Sequence, residues 1–223
     1  MTNQKQADVP SAGFPNSVQT PSFYNDLELT RQQIWRLLER GVGDRKSPFH
    51  TPAIGTISIP DGTPSIRTVI LRAAEPGRNT LSFHTDSRSA KYAELSANPA
   101  ITVHVYDAKN KIQVRMTATA CLHHCDDHTH RVWNTTRPQS LVCYRQEIPP
   151  GTPISSPLEQ HQHNALHEHQ RVRDEGNKLG LENFAVLEVT IHTIEWLYLA
   201  ATGHRRALFT QQSGHWKATW LAP

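Results

Sequence analysis

The feature that most constrains the fold is a change in hydrophobic period at Ala53. Before Gly41, a capped segment places Leu27, Ile34 and Leu38 on one helical face. From Ala53 onward the period is two, and about nine short segments alternate apolar and polar residues between turn signals. Short strands with only occasional helices predict a mostly antiparallel β barrel with peripheral helices, and they disfavour a doubly wound sheet.

Two further helical stretches interrupt the strand pattern. Pro99 ends a short helix that begins near Ser89, and Pro138 breaks a helical stretch over 126–145. Four prolines between 146 and 157 exclude a regular element there. The predicted strands cover 53–59, 65–71, 81–85, 101–106, 112–120, 184–189, 194–199, 206–209 and 215–220.

Most of the chain is expected to form one domain. A chain of 223 residues can bury a core without help from disulfides or metals. Residues 1–21 are polar and proline-rich, which predicts a flexible N-terminal arm. A single domain is then expected over 22–223, with 146–180 as a variable loop or helix insertion that is rich in histidine after residue 158.

Composition narrows the class of protein. Three cysteines without paired spacing disfavour a disulfide framework. The chain has no signal-peptide pattern and no apolar run of about 20 residues, so we expect a cytoplasmic protein that does not span a membrane. A net charge of +3 without a long Lys/Arg block disfavours a nucleic-acid surface and suits a local anion site.

Two motifs point to such an anion site. Arg67 alternates with Val69 and Leu71, and a charge on an apolar strand face must either find a partner or reach solvent. Ser89 and Lys91 stand where a strand leads into a helix, where free N–H groups and the helix dipole favour a phosphate. Taken alone, the Arg67 motif is also typical of an edge strand, and the Ser89 and Lys91 motif is also typical of a solvated helix start.

Taken in order, these and other landmarks resemble the pyridoxamine 5'-phosphate oxidase family, over about residues 25–145 and 182–223. The resemblance implies a six-stranded FMN-binding split β-barrel with Greek-key order, which forms a homodimer with FMN at the subunit interface. The landmarks are Arg67-Thr68-Val69-Ile70-Leu71-Arg72, Phe83-His84-Thr85, Ser89 with Lys91, Asn98-Pro99, Gln113-Val114-Arg115, Glu195-Trp196, His204, Arg206, and Trp216 to Pro223.

The resemblance also implies a set of cofactor contacts. Arg67, Ser89 and Lys91 would hold the FMN phosphate. Gln113 would hydrogen-bond the flavin ring, and Trp196 and Arg206 would reach it from the partner chain. The implied FMN contacts are Arg67, Thr68, Val69, Ile70, Leu71, Arg72, His84, Thr85, Ser89, Lys91, Gln113, Trp196 and Arg206, with His84 standing where the family has a tyrosine.

For the small-molecule substrate, the resemblance implies catalytic roles for His204, over the flavin face, and Arg137, on a substrate phosphate. Thr202 and Trp133 replace an arginine and a tyrosine of the family. A lost cation and a lost hydroxyl could each cost a few kcal/mol of substrate interaction. We therefore expect a divergent branch for which pyridoxamine phosphate is an inefficient substrate.

Three functions remain open from the sequence. An FMN-dependent oxidoreductase and a non-catalytic flavin-binding or flavin-sensing module would share every cofactor residue. A metal-binding scaffold is the third, because histidines, a cysteine and aspartates are dense over 123–130 and histidines recur over 161–169. No CxxC pair or HExxH motif accompanies them, so we predict no specific metal site.

Overall fold

The computed structural model describes residues 21–156, 177–200 and 203–223, and within these ranges nine strands form one antiparallel sheet. The predicted arm up to residue 20 and the insertion over 157–176 lie outside the described residues. The strands are β1 Ala53–Ile57, β2 Pro64–Thr68, β3 Leu71–Glu75, β4 Thr80–Asp86, β5 Ala100–Asp107, β6 Ile112–His124, β7 Phe184–Tyr198, β8 Arg205–Gln212 and β9 His215–Leu221. The helices are α1 Leu27–Gly43, α2 Ala90–Ala97, α3 Asp127–Thr135 and α4 Asn177–Asn183, with short 3-10 helices at Ser22–Asn25, Pro48–His50, Pro138–Ser140 and Val142–Arg145.

The sheet curls because its two ends are joined by a very short piece of chain. The strand order is β2-β1-β5-β6-β7-β4-β3, so β2 and β3 are the ends. Only Val69 and Ile70 separate these strands, and three peptide steps span at most about 11 Å. The two ends therefore stand side by side in a split barrel. Strands β8 and β9 lie off this path, with β8 paired to β7 and β9 to β8. Counting β2 and β3 as one bent strand leaves six strands in the barrel path, so the predicted fold class is confirmed.

Two details of the strand prediction were wrong. The expected strand over 65–71 ends at Thr68 and resumes at Leu71. The expected strands over 184–189 and 194–199 are a single strand, β7. The polar residues between them form a bulge rather than a turn, since Thr117 pairs with Thr193 and Ala118 with Ile191, which leaves one extra residue in β7.

Helix α1 begins and packs as its sequence predicts. The Asp26 side chain accepts a hydrogen bond from the Leu29 N–H at 2.8 Å, and Ile34 and Leu38 are buried in the barrel core. The end of α1 lies against the 3-10 helix that contains Phe49. A Cβ added to Gly41 would stand 2.7 Å from the Phe49 backbone, so only glycine permits this approach. The contact fixes the corner between α1 and β1 beside the barrel.

A second, smaller core lies beside the barrel. It comprises Trp133, Leu141, Tyr144, Phe184 and Val186, all buried. These residues fasten α3 and the 3-10 helices that follow it to the start of β7, so this cluster sets the position of the segment around Arg137. Within the described residues, no helix is both long and apolar enough to cross a bilayer.

Candidate functional site

The first group of predicted residues meets at the start of α2. Ser89 is buried, and its hydroxyl donates to the Asp86 carbonyl at 2.7 Å instead of capping the helix. The Lys91 Nζ lies 3.5 Å from Ser89 Oγ. Burial, and then the charge of Arg67, lower the pKa of Lys91. Arg67, Ser89 and Lys91 therefore form one cationic site at a helix N-terminus, which we call the phosphate cradle.

Arg67 is held in this cradle by partners that the sequence reasoning did not identify. Its Nη1 donates to Thr56 Oγ1, and its Nη2 donates to Ser65 Oγ at 2.6 Å and to Glu94 Oε2 at 2.8 Å. Of the five guanidinium N–H groups, three are used by these described residues. Two remain for a ligand. The helical period, which places Glu94 three residues after Lys91 on one face of α2, was the available signal.

The cradle fits a phosphate group. Two cations share the site, the N–H groups that begin α2 are not capped by the Ser89 side chain, and Arg67 keeps N–H groups to donate. Of the two residues between β2 and β3, Val69 uses its N–H to donate to the Pro52 carbonyl at 2.9 Å. Leu71 is wholly buried in the core, so it can offer a ligand only its backbone.

The remaining predicted residues near the cradle have distinct surroundings. Thr68 is exposed at the end of β2, and Ile70 is half-buried in the β2–β3 link. The Thr85 hydroxyl is buried and lies 3.2 Å from Ser89 Oγ. Thr85 therefore supports the cradle from within rather than lining its surface.

A second group of predicted residues lines a cavity of about 400 Å³, which we call the basic pocket. Arg72, His84 and Arg137 form part of its wall, together with Arg45 and His50 from the corner between α1 and β1. No Asp or Glu lies among its described lining residues. The sequence reasoning assigned Arg72 and His84 to the cofactor and did not identify Arg45 or His50. Three arginines without a carboxylate suit an anionic ligand.

His84 is a neutral side chain in this wall. Burial, and then the nearby charge of Arg72, lower the pKa of His84 to about 3. Its ring packs edge-on against Phe184 at 4.8 Å. Within the described residues, neither His84 Nδ1 nor Arg72 Nε has a hydrogen-bond partner, although both atoms are buried. Buried polar groups in this state are often completed by a ligand or water.

The cradle and the basic pocket are neighbours. Cys143, in the 3-10 helix Val142–Arg145, is within electrostatic range of Lys91 in the cradle and of Arg72 in the pocket. The two sites also meet along β4, because His84 lines the pocket and the hydroxyl of the next residue, Thr85, lies 3.2 Å from Ser89 Oγ in the cradle.

Gln113 and Arg206 form a third group, on the face of the sheet that points away from the core. Leu197 pairs with both residues, and residues directly opposite one another in antiparallel strands share a face. Two strand spacings, about 10 Å, separate the backbones of Gln113 and Arg206. We call this surface the outer face.

Trp196 does not belong to this group. It pairs with Val114 and Ala207, points to the opposite side of β7, and is 1% exposed. Its ring lies 4.9 Å from that of Tyr24 in the core. The predicted contact of Trp196 with a partner's flavin therefore conflicts with its position, because an adjacent residue of a strand faces the other way. Leu197 occupies the outer-face position beside Gln113.

Arg206 is fixed by an acidic residue. Its Nε donates to Glu195 Oε1 at 3.1 Å, and Arg115 Nη2 donates to the same carboxylate at 2.6 and 2.7 Å. Burial raises the pKa of Glu195, but the hydrogen bonds from Arg115 and Arg206 outweigh it, so the pKa is lowered overall. One carboxylate thus orients two cations on the outer face.

The predicted substrate residues are only partly brought together. Arg137 lies in the basic pocket, whereas His204 is exposed just before β8. Thr202 lies outside the described residues. Trp133, at the family's tyrosine position, is buried against Phe184 at 5.2 Å and is not in the pocket wall. That position is therefore part of the second core in this chain.

The histidine-rich stretch after β6 forms local hydrogen bonds. His123 Nδ1 lies 2.9 Å from Asp126 Oδ2, and His124 Nε2 lies 2.7 Å from the Glu182 carbonyl. Across residues 21–156, 177–200 and 203–223, no group of three His, Cys, Asp or Glu side chains is arranged to hold a metal ion. The histidines over 161–169 lie outside the described residues.

The split barrel and the phosphate cradle together define a class of barrel protein with an anion site at the start of α2. Within this class, residues 32–124 match the family model described as pyridoxamine 5'-phosphate oxidase, FMN-binding domain. The match includes Arg67, Lys91 and Gln113 and ends before Arg137 and Arg206. The predicted resemblance to this family is therefore confirmed over this segment, which is less than half of the chain.

Solved structures extend the likeness of fold to nearly the whole chain. A pyridoxamine 5'-phosphate oxidase-related, FMN binding protein from Nostoc punctiforme PCC 73102 is 20% identical with a TM-score of 0.66, covering 86% of this chain and 96% of its own. PhzG from Burkholderia lata 383 is 17% identical with a TM-score of 0.64, covering 92% and 98%. At these identities the likeness shows a shared fold. No curated protein matches the chain by sequence.

Proposed function

We propose that the protein is an FMN-dependent oxidoreductase acting on a small anionic substrate. The observation that carries this proposal is the adjacency of the phosphate cradle and the basic pocket. In the cradle, Arg67, Lys91 and the start of α2 would hold the phosphate of FMN. Bound FMN would supply a two-electron acceptor for a hydride.

The basic pocket would bind the substrate. Arg72 and Arg137 would pair with its anionic group, and the unpartnered Nδ1 of His84 would hydrogen-bond a neutral polar atom. A flavin-binding module without a reaction would have no need for a cavity of about 400 Å³ with uncompensated arginines beside its cofactor. The pocket therefore favours an enzyme over a binding or sensing module.

The cofactor site is tested by comparing FMN with riboflavin. We expect FMN to bind more tightly, because the cradle acts on the phosphate alone, and flavin fluorescence titration measures both dissociation constants. Equal constants would reject the cradle. Anaerobic mixing of the FMN-bound protein with amines, nicotinamides and other donors then tests catalysis. Reduction of the bound flavin by a donor supports an enzyme, whereas failure of every donor class supports the module.

We further propose that the outer face is the interface of a homodimer. Ile66 is 75% exposed, and Tyr106 is also exposed. Ile66 pairs with Gly55 and Tyr106 with Gln113, so both lie on the side of the sheet that carries Arg206. Exposed apolar side chains around an oriented cation are typical of a surface that a second copy covers. The pairing would bring Gln113 and Arg206 into the interface.

Replacing Ile66 with aspartate should weaken the dimer. A buried, unpaired carboxylate at the centre of an interface is unfavourable, so we expect the dimer dissociation constant to rise at least about tenfold, which is about 1.4 kcal/mol. Sedimentation velocity over a dilution series measures it. Leu29→Asp, at another exposed apolar position, on α1, is the matched control and should leave the dimer intact. A wild-type monomer at micromolar concentration that still binds FMN tightly would contradict the shared interface.

A further inference from the structure

Glu94 is a buried acid inside a site that should attract an anion. Its side chain is on α2, one turn after Lys91, and the residue is only 7% exposed. Its Oε2 accepts from Thr56 Oγ1 at 2.5 Å and from Arg67 Nη2 at 2.8 Å. A carboxylate at this place opposes the charge of a bound phosphate, so attraction of the ligand does not explain it.

The contacts of Arg67 explain why Glu94 lies in this site. Thr56 of β1, Ser65 of β2 and Glu94 of α2 each accept a hydrogen bond from the guanidinium. An arginine side chain has many rotamers, and ordering it on binding would weaken the complex. Partners on three elements remove that freedom before the ligand arrives. Of the three, only Glu94 forms an ion pair, in which the donor and the acceptor are both charged.

Glu94 also offsets the repulsion between the two cations of the cradle. Burial and the charge of Arg67 lower the pKa of Lys91, whereas Asp86 and Glu94 oppose this shift. A carboxylate beside both cations favours a protonated Lys91 in the ligand-free site. The Asp86 carboxylate is already paired with Arg88 at 2.8 Å, which leaves Glu94 as the acid that holds Arg67.

We infer that Glu94 is a positioning residue that fixes Arg67 so that its remaining N–H groups are directed to the phosphate of FMN. This inference rests on the proposed cofactor site. It differs from the simpler idea that the Arg67–Glu94 ion pair only fastens α2 to the barrel. A positioning role acts on the phosphate and spares the rest of the flavin, whereas a fastening role would affect every ligand of the site.

The experiment compares the dissociation constants of FMN and riboflavin for the full-length wild type and for Glu94→Ala and Glu94→Gln. We expect Glu94→Ala to weaken FMN binding about tenfold and riboflavin binding less than about twofold. Glu94→Gln keeps an acceptor oxygen and should lose about threefold in FMN affinity alone, and it provides the measurement if the alanine variant does not fold. Glu188→Ala is the matched control, since it removes another 2.8 Å pair with an arginine, Arg78.

Four results would overturn the inference. Equal loss of FMN and riboflavin affinity in the variants would show a fastening role. Tighter FMN binding by Glu94→Gln would show that the carboxylate acts only by opposing the phosphate charge. FMN affinity that is unchanged in both variants would reject Glu94 alone. A wild type without any preference would reject the cofactor site itself, and the role of Glu94 with it.

Discussion

Replacing Arg67 with alanine is expected to weaken FMN binding about a hundredfold and to leave riboflavin binding nearly unchanged. Two N–H groups of Arg67 remain after its bonds to Thr56, Ser65 and Glu94. A hydrogen bond to a charged group contributes about 1.5–3 kcal/mol, and a hundredfold change corresponds to about 2.7 kcal/mol. The loss of a single such bond would already account for most of the change. Flavin fluorescence titration at fixed ionic strength measures it.

The same substitution has a second consequence, which needs its own control. It leaves Glu94 buried without its cation, and breaking a buried pair by removing one partner costs about 3–5 kcal/mol of stability. The double variant Arg67→Ala/Glu94→Gln removes the stranded charge. We expect it to regain much of the stability in urea unfolding while FMN binding stays weak. A double variant that regains FMN affinity would show that Arg67 matters only for folding and that the phosphate is held elsewhere.

The barrel could be predicted because its strands have one buried and one exposed face. In β5 and over residues 112–119 of β6, every second residue is buried, which is the pattern that a period of two describes. Helix α1 was predictable for a related reason, because its capping residue and its apolar face are both local. Local chemistry thus determines most of the element types.

The bends in the sheet could not be predicted in this way. Between Val189 and Ile194 the chain could either turn back or continue as one strand. Which of these it does depends on its pairing with β6, which lies more than 60 residues away in sequence. The break between β2 and β3 likewise follows from closure of the barrel, because Thr68 and Leu71 belong to opposite ends of the strand order. Neither constraint is present in the local pattern.

The candidate site shows the same division between features that are local in sequence and features that depend on the fold. Arg67 and Lys91 were found from local motifs and do meet, but the partner Glu94 belongs to a different element and is brought to Arg67 only by the fold. Arg45 and His50 enter the basic pocket because the end of α1 packs against the turn that follows it. A family motif in a strand identifies a residue but does not say on which face of the sheet its side chain lies. A shift of one position moves the side chain to the opposite face.

This reversal of the sheet face has its largest expected effect on stability at Trp196. The resemblance assigns it to the flavin of the partner chain, whereas the structure places it in the core against Tyr24 and Tyr198. Replacing a buried tryptophan with alanine typically costs about 3–5 kcal/mol. We therefore expect Trp196→Ala to lower the free energy of unfolding of the ligand-free protein by that amount, and the melting temperature by about 10 °C.

Urea unfolding of the ligand-free protein is the deciding measurement, since it contains no contribution from the cofactor. Trp220→Ala is the matched control, because this tryptophan is 42% exposed on β9, and we expect it to cost less than about 1 kcal/mol. FMN titration of the Trp196→Ala protein, kept well below its melting temperature, completes the test. If the residue is a core residue, stability falls while the remaining folded protein still prefers FMN over riboflavin. Near-normal stability with a large loss of flavin affinity would instead restore the role that the resemblance implies, and β7 would then have to turn its tryptophan outward when the cofactor and the partner chain are in place.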